Sequence, residues 1–222
     1  MTDFNANAPD ALLLLAPGCP HCPTVLQGLA ELVKQGVIGR LETVNIAVHP
    51  DVAEKLGARS VPWVRLGEFE LEGLHSPAEL RQWAERAGSG AGLAEYYADL
   101  LKQGRLQKVL DAVHEGPQRL SALLRLAADP DTELTVRIGI SAVIEDMAGS
   151  DALKQHFDEL AALARSGDPR VRSDAAHFLA LTRDSRAEPV LEQLTRDGKR
   201  AVREVAEEAL QELREEPGDN NA

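Results

Sequence analysis

The sequence predicts two domains in series, an α/β domain followed by an all-α domain. Three observations support this fold class. Between residues 10 and 87, short apolar runs typical of strands alternate with amphipathic stretches typical of helices. Residues 88–92 read Gly-Ser-Gly-Ala-Gly, a flexible composition that marks a domain boundary. Beyond that boundary the pattern is helical almost throughout, and one local motif recurs three times.

The elements of the first domain follow one another in the order strand, helix, strand, helix, strand, strand, helix. Strands are predicted at 11–16, 41–48, 61–66 and 68–72, and helices at 23–35, 50–56 and 77–87. Gly67 lies between the last two strands and predicts a hairpin turn. Ser76-Pro77-Ala78-Glu79 has the form of a capping box with proline at the first helical position. This alternation predicts a central mixed sheet with helices on both faces.

The charge balance excludes two classes of partner. The chain carries 36 acidic and 24 basic residues, for a net charge of −12, and neither half is basic. Phosphate backbones and anionic lipid surfaces need a basic face, so we expect neither nucleic acid nor a membrane as a partner. The N-terminal residues include Asp3 and Asp10 instead of the basic region of a signal peptide, which makes the cytoplasm the expected location.

Cys19 and Cys22 are the only cysteines in the 222 residues, and they enclose Pro20 and His21. In a helix, residues three apart lie on the same side, so the two sulfur atoms can meet. We expect Cys19 at the N-cap and Pro20 at the first helical position, where a missing N–H costs nothing. The free amides and the positive end of the helix dipole favour a thiolate there. The pattern predicts Cys19 as a nucleophile and Cys22 as the resolving thiol.

Metal binding is the rival interpretation of this Cys-x-x-Cys motif. A structural zinc site needs four ligands, and the sequence has no second pair of cysteines and no histidine pair at ligand spacing. Two such motifs could share zinc or an iron–sulfur cluster across an oligomer interface. We favour redox chemistry, and we predict neither a metal site nor a cofactor.

Residues 10–87 resemble the thioredoxin fold in its compact glutaredoxin-like form. The resemblance depends on the order of three features: the Cys-x-x-Cys motif after the first strand, Ser60-Val61-Pro62 before the hairpin, and Gly73 after the last strand. It implies that the Val61–Pro62 bond is cis and that the Val61 backbone binds an extended substrate beside Cys19. The simpler alternative is that Pro62 starts an edge strand in trans.

The residues around the cysteines adjust the expected chemistry. The Pro20-His21 pair resembles that of strongly oxidising periplasmic members, which implies that His21 stabilises the Cys19 thiolate. A solvated loop histidine with little effect is the alternative. Leu13 stands where thioredoxins have a buried aspartate, and Gly18 where they have tryptophan. Pro23 should crowd the Cys19 carbonyl and open the first helical turn slightly.

The second domain contains an internal repeat. Val136-Arg137, Val171-Arg172 and Val202-Arg203 each open a helix after a short acidic turn, with apolar residues four and eight positions after the valine. These features resemble HEAT repeats over about residues 115–216, and imply helix pairs stacked into a short solenoid. The first helices of the pairs are predicted at 120–128, 152–165 and 187–194. The resemblance implies structural bridges between repeats from Asp168, Arg172, Asp197 and Arg203.

The predicted organisation is therefore a redox domain at 1–87, a linker at 88–92, a helical domain at 93–216 and a disordered tail at 217–222. The first functional hypothesis is a thiol–disulfide oxidoreductase for a protein client that carries a disulfide or a dithiol, with the repeats as the client-binding surface. Glutathione or a reductase is the expected electron donor. The alternatives are a redox-switched scaffold with little turnover and glutathione-linked exchange of the glutaredoxin kind.

Overall fold

The computed structural model describes residues 8–87 and 90–215. The chain divides into two compact units, one up to Leu93 and one from Ala94 onward. Of the predicted linker, residues 88 and 89 lie outside the described part, and residues 90–92 form the first turn of a helix. The predicted tail at 217–222 also lies outside the described residues.

The first unit contains a mixed four-stranded sheet with the strand order β2-β1-β3-β4. Its strands are β1 (Asp10–Leu15), β2 (Arg40–Asn45), β3 (Trp63–Leu66) and β4 (Phe69–Glu72). Its helices are α1 (Cys22–Lys34), α2 (Pro50–Lys55) and α3 (Pro77–Arg86). β1 and β2 are parallel, whereas β3 is antiparallel to both β1 and β4. The predicted mixed sheet is confirmed.

The central strands β1 and β3 are buried on both faces of the sheet because they are apolar on both sides. One core contains Leu13 of β1 together with Leu29 of α1 and Leu80 of α3, each completely buried. The other contains Leu14 of β1 and Trp63 of β3, packed with Ala53 of α2. The alternation of Leu13 and Leu14 between the two cores follows from the two-residue period of a strand.

Four loops meet at one edge of the sheet. β1, β2 and β4 run in the same direction and end there, and β3 begins there because it is antiparallel to its neighbours. The loops comprise residues 16–21, 46–49, 56–62 and 73–76, and we refer to them together as the cysteine edge. The main-chain amide of Ile46 donates to the carbonyl of Leu15 at 2.9 Å, and that of Gly73 donates to the carbonyl of Pro62 at 2.9 Å.

The capping box predicted at the start of α3 is confirmed. The Ser76 hydroxyl accepts a hydrogen bond from the Glu79 amide at 3.2 Å, and the Glu79 carboxylate accepts one from the Ser76 amide at 2.7 Å. The bond from the Ser76 amide also lowers the pKa of Glu79 below its ordinary value. The capping box therefore pairs two amides that the first turn of a helix leaves without partners.

The second unit is a series of helices. They are α4 (Gly90–Lys102, which spans the boundary), α5 (Leu106–Glu115), a single 3₁₀ turn (Pro117–Arg119), α6 (Leu120–Ala128), α7 (Leu134–Asp146), α8 (Asp151–Gln155), α9 (Phe157–Leu163), α10 (Pro169–Leu181), α11 (Ala187–Leu194) and α12 (Arg200–Glu215). The repeated valines Val136, Val171 and Val202 are buried. Among the described residues, no helix is long and apolar enough to cross a membrane.

The helix predicted at 152–165 is divided at His156, which ends α8 and precedes α9. The His156 side chain is largely buried, and its Nε2 lies 3.1 Å from the carbonyl oxygen of Pro117. Its Nδ1 lies 2.8 Å from the Glu159 carboxylate. These contacts hold His156 at the junction of the two short helices. Helical periodicity alone cannot show them, because Pro117 is distant in the sequence.

An arginine of one repeat forms an ion pair with the next repeat of the second unit. The Arg172 guanidinium binds both carboxylate oxygens of Asp197 in the next repeat, at 2.7 and 2.9 Å, and donates to the Ser166 carbonyl at 2.8 Å. Arg203 donates to the main-chain oxygen of Asp197 at 2.8 Å. The predicted structural bridge is thus present at Arg172 and Asp197. Asp168 instead caps its own helix by accepting from the Arg170 amide at 2.8 Å, because it occupies the N-cap of α10.

Candidate functional site

The two cysteines lie together at the cysteine edge. Cys19 is half-buried in the loop after β1, and Cys22 is the first residue of α1 and only 5% exposed. They form a disulfide with a Cα–Cα distance of 5.5 Å, as the three-residue spacing predicts. Cys19 is therefore the sulfur that an incoming molecule reaches first.

The start of α1 differs from the prediction. The helix begins at Cys22, with His21 in the N-cap position, so Cys19 is not the N-cap and Pro20 is not the first helical residue. Pro23 has no N–H, so the helical hydrogen bond to the Cys19 carbonyl cannot form. The first helical bond instead runs from the Val25 amide to the His21 carbonyl, at 3.3 Å. Residues 19–21 therefore lie outside the helix, and the opened first turn stays a prediction.

The Cys19 sulfur nevertheless accepts one main-chain N–H. The main-chain amide of Cys22 donates to Cys19 Sγ at 3.1 Å, which is the bond that an N-cap side chain makes to the amide three residues later. An N–H directed at sulfur stabilises a thiolate over a thiol. His21 is exposed, and among the described residues none is hydrogen-bonded to its ring. Its action on the thiolate stays a prediction.

Val61 and Pro62 lie directly beside the disulfide. The Val61–Pro62 bond is cis, as the resemblance implies, and Pro62 is buried. The Val61 carbonyl oxygen is 3.7 Å from Cys19 Sγ. Within the described residues, no main-chain hydrogen bond occupies the amide or the carbonyl of Val61. A short length of backbone without main-chain partners among the described residues therefore borders the Cys19 sulfur, as pairing with an extended peptide requires.

The cysteine edge also contains three residues that the sequence did not single out, Val48, Arg59 and Leu74. Val48 and Leu74 are among the exposed large hydrophobic side chains, and Arg59 is exposed in the loop before Val61. Their loops are separated in the sequence and meet only because of the strand order. No sequence pattern marks them, and only the correct topology could have brought them together.

The other histidines and acidic residues of the described part of the chain form no candidate metal site. No group of three or more His, Cys, Asp or Glu side chains in residues 8–87 and 90–215 could hold a metal ion. His114 and His177 each face a carboxylate of a neighbouring helix, Asp146 at 2.6 Å and Glu145 at 3.3 Å. These contacts give the two histidines a place in the packing of the helices.

Comparison with known proteins assigns both halves of the chain. The thioredoxin domain family model matches residues 11–85, which contain the disulfide and the cis-proline. The HEAT repeat family model matches residues 120–211. The chain joins a thioredoxin-like domain to HEAT repeats.

The thioredoxin-like domain carries the redox-active cysteine pair, and the HEAT repeats are a fold typical of protein–protein interaction. A curated relative, Glutaredoxin 3 of Danio rerio, is 31% identical over 107 residues. That match covers 46% of this chain and 32% of the relative, so the chain spans about a third of the length of the protein that it matches. The domain and the relative together support a thiol-redox role.

Proposed function

We propose that the protein is a thiol–disulfide oxidoreductase that acts on a protein client through Cys19 and Cys22. The observation that supports this most directly is the arrangement at Cys19: a half-buried sulfur, an amide donor 3.1 Å away and, beside it, the Val61 main chain, for which the described residues provide no main-chain hydrogen bond. The HEAT repeats are the proposed client-binding surface, because solenoids present extended surfaces to protein segments. We place the reaction in the cytoplasm, where a disulfide of this kind is transient and catalytic.

The reaction has two steps. In the reduced protein, the Cys19 thiolate attacks one sulfur of a client disulfide, and the other client sulfur leaves as a thiolate. The Cys22 thiolate then attacks Cys19, which restores the Cys19–Cys22 disulfide and releases the second client thiolate. The client gains two electrons and the protein loses two. The same steps in reverse oxidise a client dithiol.

The remaining site residues stabilise the Cys19 thiolate or position the client beside it. The Cys22 amide and the N-terminal end of α1 stabilise the Cys19 thiolate before attack and as leaving group. Val61 pairs with the client backbone, and Pro62 holds that backbone segment beside the sulfur. Pro20 and His21 form the exposed turn between the two cysteines. A reductase or glutathione supplies electrons when the protein works as a reductant.

A Cys22→Ser variant tests this function in the full chain. It lacks the resolving thiol, so the mixed disulfide between Cys19 and its client should accumulate and can be identified by mass spectrometry. A Cys19→Ser variant is the matched control and should capture nothing. Capture of glutathione alone, or capture by both variants, would contradict a protein client.

A truncated chain tests whether the HEAT repeats select the client. A Cys22→Ser chain that ends at Leu93, checked for folding by tryptophan fluorescence, should still form mixed disulfides with small peptide disulfides. It should lose the discrete protein clients that the full chain captures. Equal capture by both lengths would remove the repeats from client selection.

Glutathione-linked exchange is the second candidate, because the curated relative is named a glutaredoxin. It predicts that turnover with a small disulfide rises and saturates with glutathione concentration. Protein-client exchange predicts turnover with a dithiol reductant in the absence of glutathione. Redox-dependent binding to a partner without turnover would favour a scaffold over both enzymatic functions.

A further inference from the structure

The cysteine edge differs in charge from the rest of the chain. Of the 222 residues, 36 are acidic, yet residues 16–21, 46–49, 56–62 and 73–76 contain no Asp and no Glu. Their ionisable side chains, apart from Cys19, are an arginine and three histidines, namely Arg59, His21, His49 and His75. The reactive sulfur therefore lies in a carboxylate-free zone of an acidic protein.

The carboxylates nearest to this zone along the chain belong to the adjoining elements. In α2, Asp51 pairs with Lys55 at 3.3 Å and Glu54 is exposed, whereas Glu79 of α3 accepts the Ser76 amide of the capping box. Glu72, at the end of β4, stands opposite Trp63 in the β3–β4 register. Within the described part of the chain, no carboxylate forms an ion pair with Arg59, which is exposed. Arg59 is thus available to an external anion.

The same edge exposes apolar surface. Val48 is 66% exposed and Leu74 is 53% exposed, and they follow β2 and β4 respectively. Leu74 directly follows Gly73, whose amide binds the carbonyl of Pro62, so it lies next to the segment that borders the disulfide. Exposed side chains of this size next to a reactive centre are suited to contact with a partner.

We propose that the cysteine edge selects client segments in which the reactive cysteine is flanked by apolar residues and by a nearby carboxylate. This inference rests on the proposed function and names its substrate class. Arg59 lies two residues before Val61 in the same loop of the cysteine edge. A client segment paired at Val61 would therefore pass close to Arg59. Leu74 and Val48 contact its apolar residues.

The physical reason for selection is the rate of encounter. A positive side chain in a zone without carboxylates raises the local concentration of anionic segments, whereas the acidic remainder of the protein repels them. Repulsion elsewhere makes unproductive encounters with the acidic surface rarer. The effect is electrostatic and should weaken as salt shortens the Debye length.

The experiment uses the full-length Cys22→Ser chain and three symmetrical peptide disulfides. The peptides share the core Leu-Cys-Leu and carry Glu, Gln or Lys at the next position on both sides. The measured quantity is the second-order rate constant for formation of the mixed disulfide at Cys19. We expect the Glu peptide to react about tenfold faster than the Lys peptide at low ionic strength, and the difference to shrink at high salt.

Two charge reversals in the Cys22→Ser background identify the determinant. Arg59→Glu should reverse the order of the Glu and Lys peptides. Arg40→Glu makes the same change of charge at the opposite end of the sheet, where β2 begins, and should preserve the order. Equal rates for the three peptides, or equal effects of the two reversals, would overturn the selection for acidic segments.

Two further measurements show whether the carboxylate comes from a peptide or from glutathione. They also distinguish failure of this inference from failure of the proposed function. Glutathione disulfide carries carboxylates without flanking apolar residues. A Leu74→Ser exchange that slows the peptides several-fold and leaves glutathione disulfide unchanged supports a peptide segment as the occupant. If Arg59→Glu slows glutathione disulfide alone, the carboxylate site serves glutathione and the inference is wrong. Failure of every disulfide to react with Cys19 would overturn the proposed function itself.

Discussion

The sulfur of Cys19 lies between one main-chain donor and one main-chain acceptor. The Cys22 amide is 3.1 Å away and the Val61 carbonyl oxygen is 3.7 Å away. The amide stabilises a thiolate, while the carbonyl can accept a hydrogen bond only from a protonated thiol. The two contacts therefore act in opposite directions on the Cys19 thiol, and further positive charge would favour the thiolate.

His21 is the side chain placed to favour the thiolate. In the Cys22→Ser background, we expect His21→Ala to raise the pKa of the Cys19 thiol, because it removes a side chain two residues away that can donate a hydrogen bond to the thiolate. The measurement is the ultraviolet absorbance of the thiolate as a function of pH. His49→Ala removes a histidine from the same edge and is the matched control. No change with His21→Ala would mean that His21 is a solvated loop residue.

Single residues also show how far sequence reasoning reaches. The cysteine pair and the cis Val61–Pro62 bond follow from local motifs and their order, and both were predicted. The exact start of α1 was not: Pro23 cannot bond to the Cys19 carbonyl, and the first helical bond runs from the Val25 amide to the His21 carbonyl. Arg59 was not recognised because its setting depends on which loops the sheet brings together.

At the scale of secondary structure, α3 shows a local signal that fixes a boundary. The Ser76 hydroxyl and the Glu79 carboxylate pair with each other's main-chain amides, and Pro77 occupies the first helical position. All of these groups lie within four consecutive residues, so the sequence alone suffices to predict the start of the helix. The break between α8 and α9 cannot be predicted in this way, because His156 contacts the carbonyl oxygen of Pro117, which lies in a turn distant in the sequence.

The capping box should contribute measurably to the stability of the first unit. We expect Ser76→Ala to lower its free energy of unfolding by about 1 kcal/mol, because the Glu79 amide loses its acceptor. Urea unfolding followed by tryptophan fluorescence measures this, since Trp63 and Trp83 are the only tryptophans and both lie in the first unit. Ser76→Asn retains a capping side chain and should recover most of the loss. An equal loss with both substitutions would show that capping is not the cause.

Across the whole molecule, the two units are held together internally by different means. The first has two apolar cores on the faces of a sheet, whereas the second adds ion pairs that link successive repeats. In one of these pairs, Arg172 lowers the pKa of Asp197 through its hydrogen bonds. In the other, burial raises the pKa of Asp174, although Arg137 opposes it. The two bridges should therefore respond differently to acid.

The signs of these shifts predict the pH dependence of the second unit. A lowered pKa means that the contribution of Asp197 is complete above the ordinary value of 3.8 and is lost as the pH falls through its folded-state pKa. We expect Asp197→Asn to cost about 2 kcal/mol at neutral pH, as for a hydrogen-bonded charged group, and to flatten the loss of stability in acid. Far-ultraviolet circular dichroism follows the helices, while tryptophan fluorescence reports the first unit separately.

Asp174→Asn is the control for that prediction. A raised pKa means that protonation is favoured in the folded state, so the wild-type contribution of Asp174 declines as the pH rises through its folded-state pKa. Removing this carboxylate should leave the acid-induced loss of helical signal intact or make it steeper. If Asp174→Asn flattens the profile as much as Asp197→Asn, the assignment of the acid response to the Arg172–Asp197 bridge is wrong.

The burial of Cys22 has a consequence for the order in which other molecules can react. With Cys22 only 5% exposed, a reductant that opens the disulfide must attack Cys19, the same atom that attacks the client in the proposed reaction. The electron donor and the client therefore exclude each other and must take turns. Steady-state kinetics should follow a double-displacement pattern, with parallel lines in double-reciprocal plots. A high concentration of either substrate should slow the reaction of the other substrate with Cys19.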